Sequence, residues 1–269
     1  MTHDDPVTSL TFNDYCHHLE SQTDLLRSQV AGADTTTPVS TCPGWDLGRL
    51  LRHVGGDHRW AEEIVRTRAT APVADDCVND PAVYDHLDGA SLDTWLREGA
   101  AKLGATLHGA GPDVRVWTPA DGAVVEQSAL FWARRMTHET LVHRADATLA
   151  TGGEFTVDDD LAVDGVEEWL QFATVPEAYE SGPDAPGLLG PGRTLHFHAA
   201  GVGEWFVDLT GDRPSWRPRS AEEAAATVRG TVTDLLLFLY RRPAPALETR
   251  GDTALLELWL NRTGFWLEA

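Results

Sequence analysis

The chain has 269 residues, 42% of them hydrophobic, and ten are Trp. That composition describes one large or two modest packed domains and excludes a disordered chain. A net charge of −21 excludes nucleic acid and anionic membrane surfaces as natural partners.

In chain order, residues 10–30 carry apolar side chains at helical spacing. A Thr-rich loop comes next, then the turn Cys42-Pro43-Gly44-Trp45, with Asp46 as N-cap of a second helix running to about Arg68. Leu47, Leu50, Leu51 and Val54 mark its buried stripe. Residues 69–89, rich in Asp, Pro and Ala, read as a long surface loop. A third helix is expected from Ser91, as N-cap, to about Gly109. Residues 114–119 form a short extended piece. A fourth helix spans roughly 126–149 and ends at Thr151-Gly152-Gly153. Four helices of this length suggest a bundle, a common scaffold for metal ligands.

One more helix is expected over 157–174, and the Gly- and Pro-rich stretch 181–192 reads as a linker. After it the pattern changes to α+β. Residues 194–199 and 204–209 alternate like paired strands. Residues 220–241 read as a helix with Ser220 as N-cap and Glu222 and Glu223 in its first turn, and 255–260 as a last strand. The expected organisation is a helical domain over 1–153 and a smaller α+β domain over 154–269.

Cys16, Cys42 and Cys77 show no C-x-x-C spacing, so neither a disulfide framework nor a Cys-rich zinc module is expected. Cys42 has no basic neighbour in sequence and reads as structural. No signal-peptide pattern opens the chain, and its longest apolar run, Leu235 to Tyr240, is too short to span a bilayer. The expectation is a cytoplasmic protein. Lys102 is the only lysine, an Arg bias that resembles the products of GC-rich actinobacterial genomes.

The chemistry concentrates on two segments. Glu139 and His143 lie four apart and project from one helix face, on a stripe with Trp132, Met136 and Asp146. An unpaired buried carboxylate is costly, so Glu139 is either paired or ligates an ion. His138 and His143 are five apart, about 140° around the axis, and do not form the two-histidine motif of zinc proteases. On the second helix His53 shares a stripe with Leu50, Asp57 and Trp60. Two imidazoles and a carboxylate, His53, His143 and Glu139, form a three-ligand set for a catalytic divalent metal with an open position. Asp57 and Asp146 are then acceptors for the ligand imidazoles. The plainer alternative is a solvated face with an Arg135–Glu139 ion pair. His196 and His198 share one strand face and read most simply as solvent-facing.

The segments CPGWDLGRLLRHVGGDHRWA and ARRMTHETLVHRADA resemble the two signature stretches of the mycothiol-dependent maleylpyruvate isomerase family. The stretch SAEEAAATVRGTVTDLLLFLYRRP, followed by RGDTALLELW, is similar to the family's smaller C-terminal domain. The resemblance implies a DinB-like four-helix bundle followed by an α+β domain like sterol-carrier folds. It also implies a divalent metal, usually zinc, on His53, Glu139 and His143, with mycothiol or a similar thiol as cosubstrate. A cation for a substrate carboxylate would come from the C-terminal domain, with Arg229 and Arg242 as candidates.

Three functions stand in order. The first is a metal- and thiol-dependent isomerase or S-transferase acting on a small molecule. The second is a metal-dependent hydrolase, which would turn over without thiol. The third is a non-catalytic binding or regulatory protein, in which loss of Glu139 or His143 would leave function intact.

Overall fold

The structure is a computed structural model that describes residues 10–79, 81–119, 125–180, 186–218 and 223–264. It divides into two compact units, Thr11–Phe155 on the one hand and Met1–Leu10 with Thr156–Ala269 on the other.

The first unit is helical. Helix α1 (Phe12–Gln29) starts at a capping box, in which Asp14 N donates to Thr11 Oγ1 and Thr11 N to Asp14 Oδ2. Helix α2 (Leu47–Thr67) is capped by Asp46, which accepts from Arg49 N at 2.8 Å as expected. The stretch read as a loop holds the short helix α3 (Asp76–Asn79) and a 3₁₀ turn (Pro81–Tyr84). Helix α4 (Gly89–Ala110) begins earlier than expected, with Asp88 as N-cap. Ser91 is the third residue of its first turn and accepts from Asp88 N at 2.9 Å. Helix α5 (Ala129–Ala150) carries the second signature segment.

Helix α1 packs on α5 and α4, and α2 packs on α4 and α5. The expected stripe of α2, Leu47, Leu50, Leu51 and Val54, is buried with Leu26, Leu92, Leu96 and Ala147. Each fully buried leucine contributes about 1.5–3 kcal/mol by leaving water. Helices α2 and α4 approach closely enough that Gly55 is required, because a Cβ there would collide with the Trp95 ring. Two of the long helices thus hold α2 and α5 side by side, which is what allows side chains 86 residues apart to meet.

The second unit is a mixed sheet with helices. Helices α6 (Asp159–Phe172) and α7 (Pro176–Tyr179) precede the strands. Strands β1 (Thr194–Ala199) and β2 (Gly203–Asp208) pair antiparallel, as their alternation predicts. Of the expected linker, 181–185 lie outside the described residues.

Two expectations are overturned here. The stretch 220–241 is not one helix. Ser220 and Glu222 lie outside the described residues, and the remainder forms strand β4 (Ala226–Gly230) and helix α8 (Val232–Leu239). Pairing of β4 parallel to β1 buries Ala226 and Val228 against Leu195 and Phe197, which outweighs the helix preference of the alanine run. Residues 255–260 are not a strand but part of helix α9 (Thr253–Thr263), capped by Asp252 through Leu255 N. Its Leu255, Leu256 and Trp259 are buried at helical spacing. Strands β3 (Ser215–Pro218) and β5 (Glu248–Gly251) complete the sheet, in the order β3-β2-β1-β4-β5. Helices α8 and α9 lie against β1 and β4, with Trp259 packed 5.3 Å from the Phe197 ring. No helix among the described residues is long and apolar enough to cross a membrane.

Candidate metal centre

Helices α2 and α5 bring His53, Glu139 and His143 together. Glu139 Oε1 lies 2.9 Å from His143 Nε2 and 3.4 Å from His53 Nε2. One ligating atom from each residue falls within 4.8 Å of the other two. Donors bonded to one ion at about 2.0–2.2 Å sit roughly 3 Å apart, so this spacing suits a divalent cation with small adjustments. The donor set of two imidazoles and a carboxylate fits zinc and its neighbours. The side chains of His53, Glu139 and His143 are 15%, 25% and 9% exposed, so the cluster sits at the edge of the core.

The surroundings hold these atoms in place. His143 Nδ1 contacts Asp146 Oδ2 at 2.9 Å, which leaves Nε2 directed at Glu139. The Cys42 thiol donates to the same Asp146 oxygen at 3.4 Å. The turn before α2, closed by Trp45 N on Cys42 O, delivers Trp45 onto the cluster. Its ring stacks 6.0 Å from that of His143 and meets that of His53 edge-on at 4.9 Å. Gly44, at φ 82, supplies the left-handed conformation this turn needs.

The expected Arg135–Glu139 pair is also present, at 2.7 Å, through Glu139 Oε2. The ion pair and the histidine cluster therefore coexist, because one carboxylate has an oxygen for each. Asp146 acts as expected on the second nitrogen of its imidazole. Asp57 does not: its Oδ2 lies 3.3 Å from His53 Nε2, the nitrogen that faces Glu139.

The charges are strongly coupled. Burial pushes Glu139 up, but the His143 charge, hydrogen bonds from both histidines and Arg135 hold its carboxyl well below the usual range. Burial pushes His143 down, yet Glu139 and the bond to Asp146 keep it protonated well above an ordinary histidine. Burial raises Asp57 to about 6 against the pull of His53.

Other candidates lie elsewhere. His138 is buried on α5 outside the cluster. His58 is buried, 2.9 Å from Thr140 Oγ1, and burial lowers it to about 3. Cys16 is buried, with its thiol raised to about 11 by burial. The side chain of Cys77 lies outside the described residues. In the second unit, His196 and His198 are not fully solvent-facing; they are 15% and 17% exposed beside Glu204, at 3.5 and 3.2 Å. Arg242 is buried and donates to Tyr240 O, whereas Arg229 is exposed on β4.

Sequence reasoning passed over Cys42 and Trp45 as site residues. Their signals were their place in the first signature segment and their position, since a turn ending at the N-cap of the His53 helix must lie near the start of that helix.

Comparison with known proteins respects the same division of the chain. The family model described as the mycothiol maleylpyruvate isomerase N-terminal domain matches residues 16–148, and the MDMPI C-terminal domain model matches residues 160–258. The crystal structure of the mycothiol-dependent maleylpyruvate isomerase superposes with a TM-score of 0.63 at 14% identity, over 91% of this chain and 95% of that one. A histidine-to-alanine variant of it gives 0.62 at 13% identity, with the same 91% and 95% coverage. At such identities the likeness is one of fold. No curated protein sequence matches the chain.

Proposed function

Because the chain belongs to the mycothiol maleylpyruvate isomerase family, we propose that it is a metal-dependent enzyme using a low-molecular-weight thiol, with mycothiol the first candidate. The reaction is cis–trans isomerisation of a maleylpyruvate-like acid or transfer of the thiol to an electrophile. The observation that carries this reading is the meeting of His53 Nε2, Glu139 Oε1 and His143 Nε2 at one point. The metal is taken to be zinc and the first unit a DinB-like four-helix bundle.

Bound there, a divalent cation supplies the Lewis acidity that keeps a thiol deprotonated at neutral pH. His53, Glu139 and His143 would hold the ion. Asp146 fixes the His143 ring so that Nε2 faces inward. Trp45 covers one side of both imidazoles and excludes water from it. Arg135 offsets the charge on Glu139 Oε2, so that carboxylate presents Oε1 to the site.

Isomerisation asks little more of the protein than this. A thiol adds across an activated cis double bond, the resulting single bond turns, and expulsion of the thiol restores the double bond in the trans form. The test is turnover of maleylpyruvate by purified protein with and without mycothiol. Thiol-dependent loss of the cis acid, abolished in Glu139→Gln, is the expected result. Hydrolysis of a substrate with no thiol present would overturn it in favour of metal-activated water.

A further inference from the structure

The face of the sheet turned away from α8 and α9 is polar apart from the buried Phe206, and its register sets the side chains in two rows. One runs Phe206, His196, Thr227, Arg250 and the other Glu204, His198, Arg229, Glu248, across β2, β1, β4 and β5. Over β1, β4 and β5 lies a cavity of about 470 Å³, lined by His196, Glu223, Thr227, Arg229, Glu248 and Arg250 among others. That volume is the size of a small-molecule site. Its rim is fixed by Gly251, at φ 86, where a Cβ would collide with the Ala225 carbonyl. Asp252 N closes the same corner by donating to Ala225 O at 2.8 Å.

Two polar side chains in this cavity, Thr227 and Arg229, are unspent, and a third, His196, is only loosely paired. His196 Nε2 is buried without a hydrogen bond of good geometry, its nearest partner being Glu204 Oε2 at 3.5 Å. Buried polar atoms normally find a partner, so an orphan beside a cavity marks a place for one. Thr227 is the register partner of His196, and Arg229 lies two residues on along the same face. Among the described residues, neither side chain is spent on a hydrogen bond or ion pair. Arg250, by contrast, is paired with Glu248 at 3.3 Å.

We propose that this cavity binds a small hydroxy- or amino-substituted carboxylic acid, its carboxylate held by Arg229, Thr227 and His196. A guanidinium beside a hydroxyl and an imidazole N–H is a donor set for a planar carboxylate. Glu223 and Glu248, on the same lining, accept from hydroxyl or ammonium groups on the ligand. Those two carboxylates also disfavour a doubly charged phosphate, which would bring two negative charges against them. Burial lowers His196, so it is neutral at physiological pH and offers one donor rather than a second cation. Nothing in this site draws on the metal centre, so loss of the metal reading leaves it standing.

The test is calorimetric titration of the whole protein with gluconate, a hydroxylated carboxylate, beside sorbitol and glycerol 1-phosphate. Hydrogen exchange of 226–230 and 248–251 reports where the probe sits. Saturable gluconate binding is expected, with slowed exchange in both segments and no response to sorbitol. Arg229→Met, at an exposed position, is expected to weaken it at least tenfold, and Thr227→Val several-fold. Failure of gluconate to saturate at tens of millimolar would overturn the proposal. So would unchanged binding in Arg229→Met, or tighter binding of glycerol 1-phosphate.

Discussion

His53, Glu139 and His143 in the helical unit, and His196, Glu204 and His198 on the sheet, are the same residue types in two geometries. In the first set both imidazoles face one carboxylate oxygen, at 2.9 and 3.4 Å, with their rings edge-on at 87°. In the second they face different oxygens, at 3.5 and 3.2 Å, with rings stacked 6.1 Å apart at 29°. The difference comes from the scaffold. Alternate residues of one strand leave the sheet in parallel, roughly 7 Å apart, so their lone pairs do not converge. Two packed helices approach a point from different directions. The helical set also has Asp146 on the outer nitrogen of His143, while neither sheet imidazole has a carboxylate there among the described residues. Ligand types make a metal site only where backbone geometry and outer partners aim them.

The sharpest way to break this comparison is to remove the outer partner. Asp146→Asn is expected to weaken metal binding about 10- to 100-fold, read by competition with a chromogenic chelator. Glu204→Gln, which removes the carboxylate that His196 and His198 face on the sheet, should leave metal affinity unchanged.

A second effect concerns a buried histidine that is not a ligand. His58 falls from 6.5 to about 3 on folding. Its contribution is fully present above the unfolded value and is lost as pH drops toward 3. Between pH 7 and 5 this costs about 2 kcal/mol, because only the unfolded chain takes up the proton. Urea titrations at the two pH values measure it, and His58→Gln should flatten that branch.

The smallest expected effect is on metal affinity itself. Metal-free His143 is protonated well above 6.5, yet a ligand imidazole must be neutral. Binding therefore displaces a proton, and affinity should fall about tenfold for each pH unit below the raised value. Calorimetry in two buffers of different ionisation enthalpy would show proton release at neutral pH.

Much of the helical unit was legible in the residues. The 3.6-residue stripe of α2, its Asp46 cap and the four-residue step from Glu139 to His143 are local signals, and the structure keeps them. The sheet was harder because its signals are not local. Ala226–Gly230 comes after an alanine run that favours helix and becomes a strand only by pairing with β1, some thirty residues earlier in the chain. The cap of the helix behind it was readable: Thr231 accepts from Asp234 N at 3.0 Å, a T-x-x-D start that the longer helix obscured. Leu255–Leu260 is a six-residue, mostly apolar run, too short to separate strand from helix without noticing Asp252 as a cap. The role of Asp57 was misassigned because spacing places a residue on a face without saying which ring nitrogen it meets.

The most direct test is the metal content of untagged protein by elemental mass spectrometry, beside His143→Ala and His198→Ala. The account predicts close to one divalent ion per chain in the wild type and in His198→Ala, and none in His143→Ala. A wild type that stays empty after incubation with zinc, or a His143→Ala variant that keeps its ion, would contradict it.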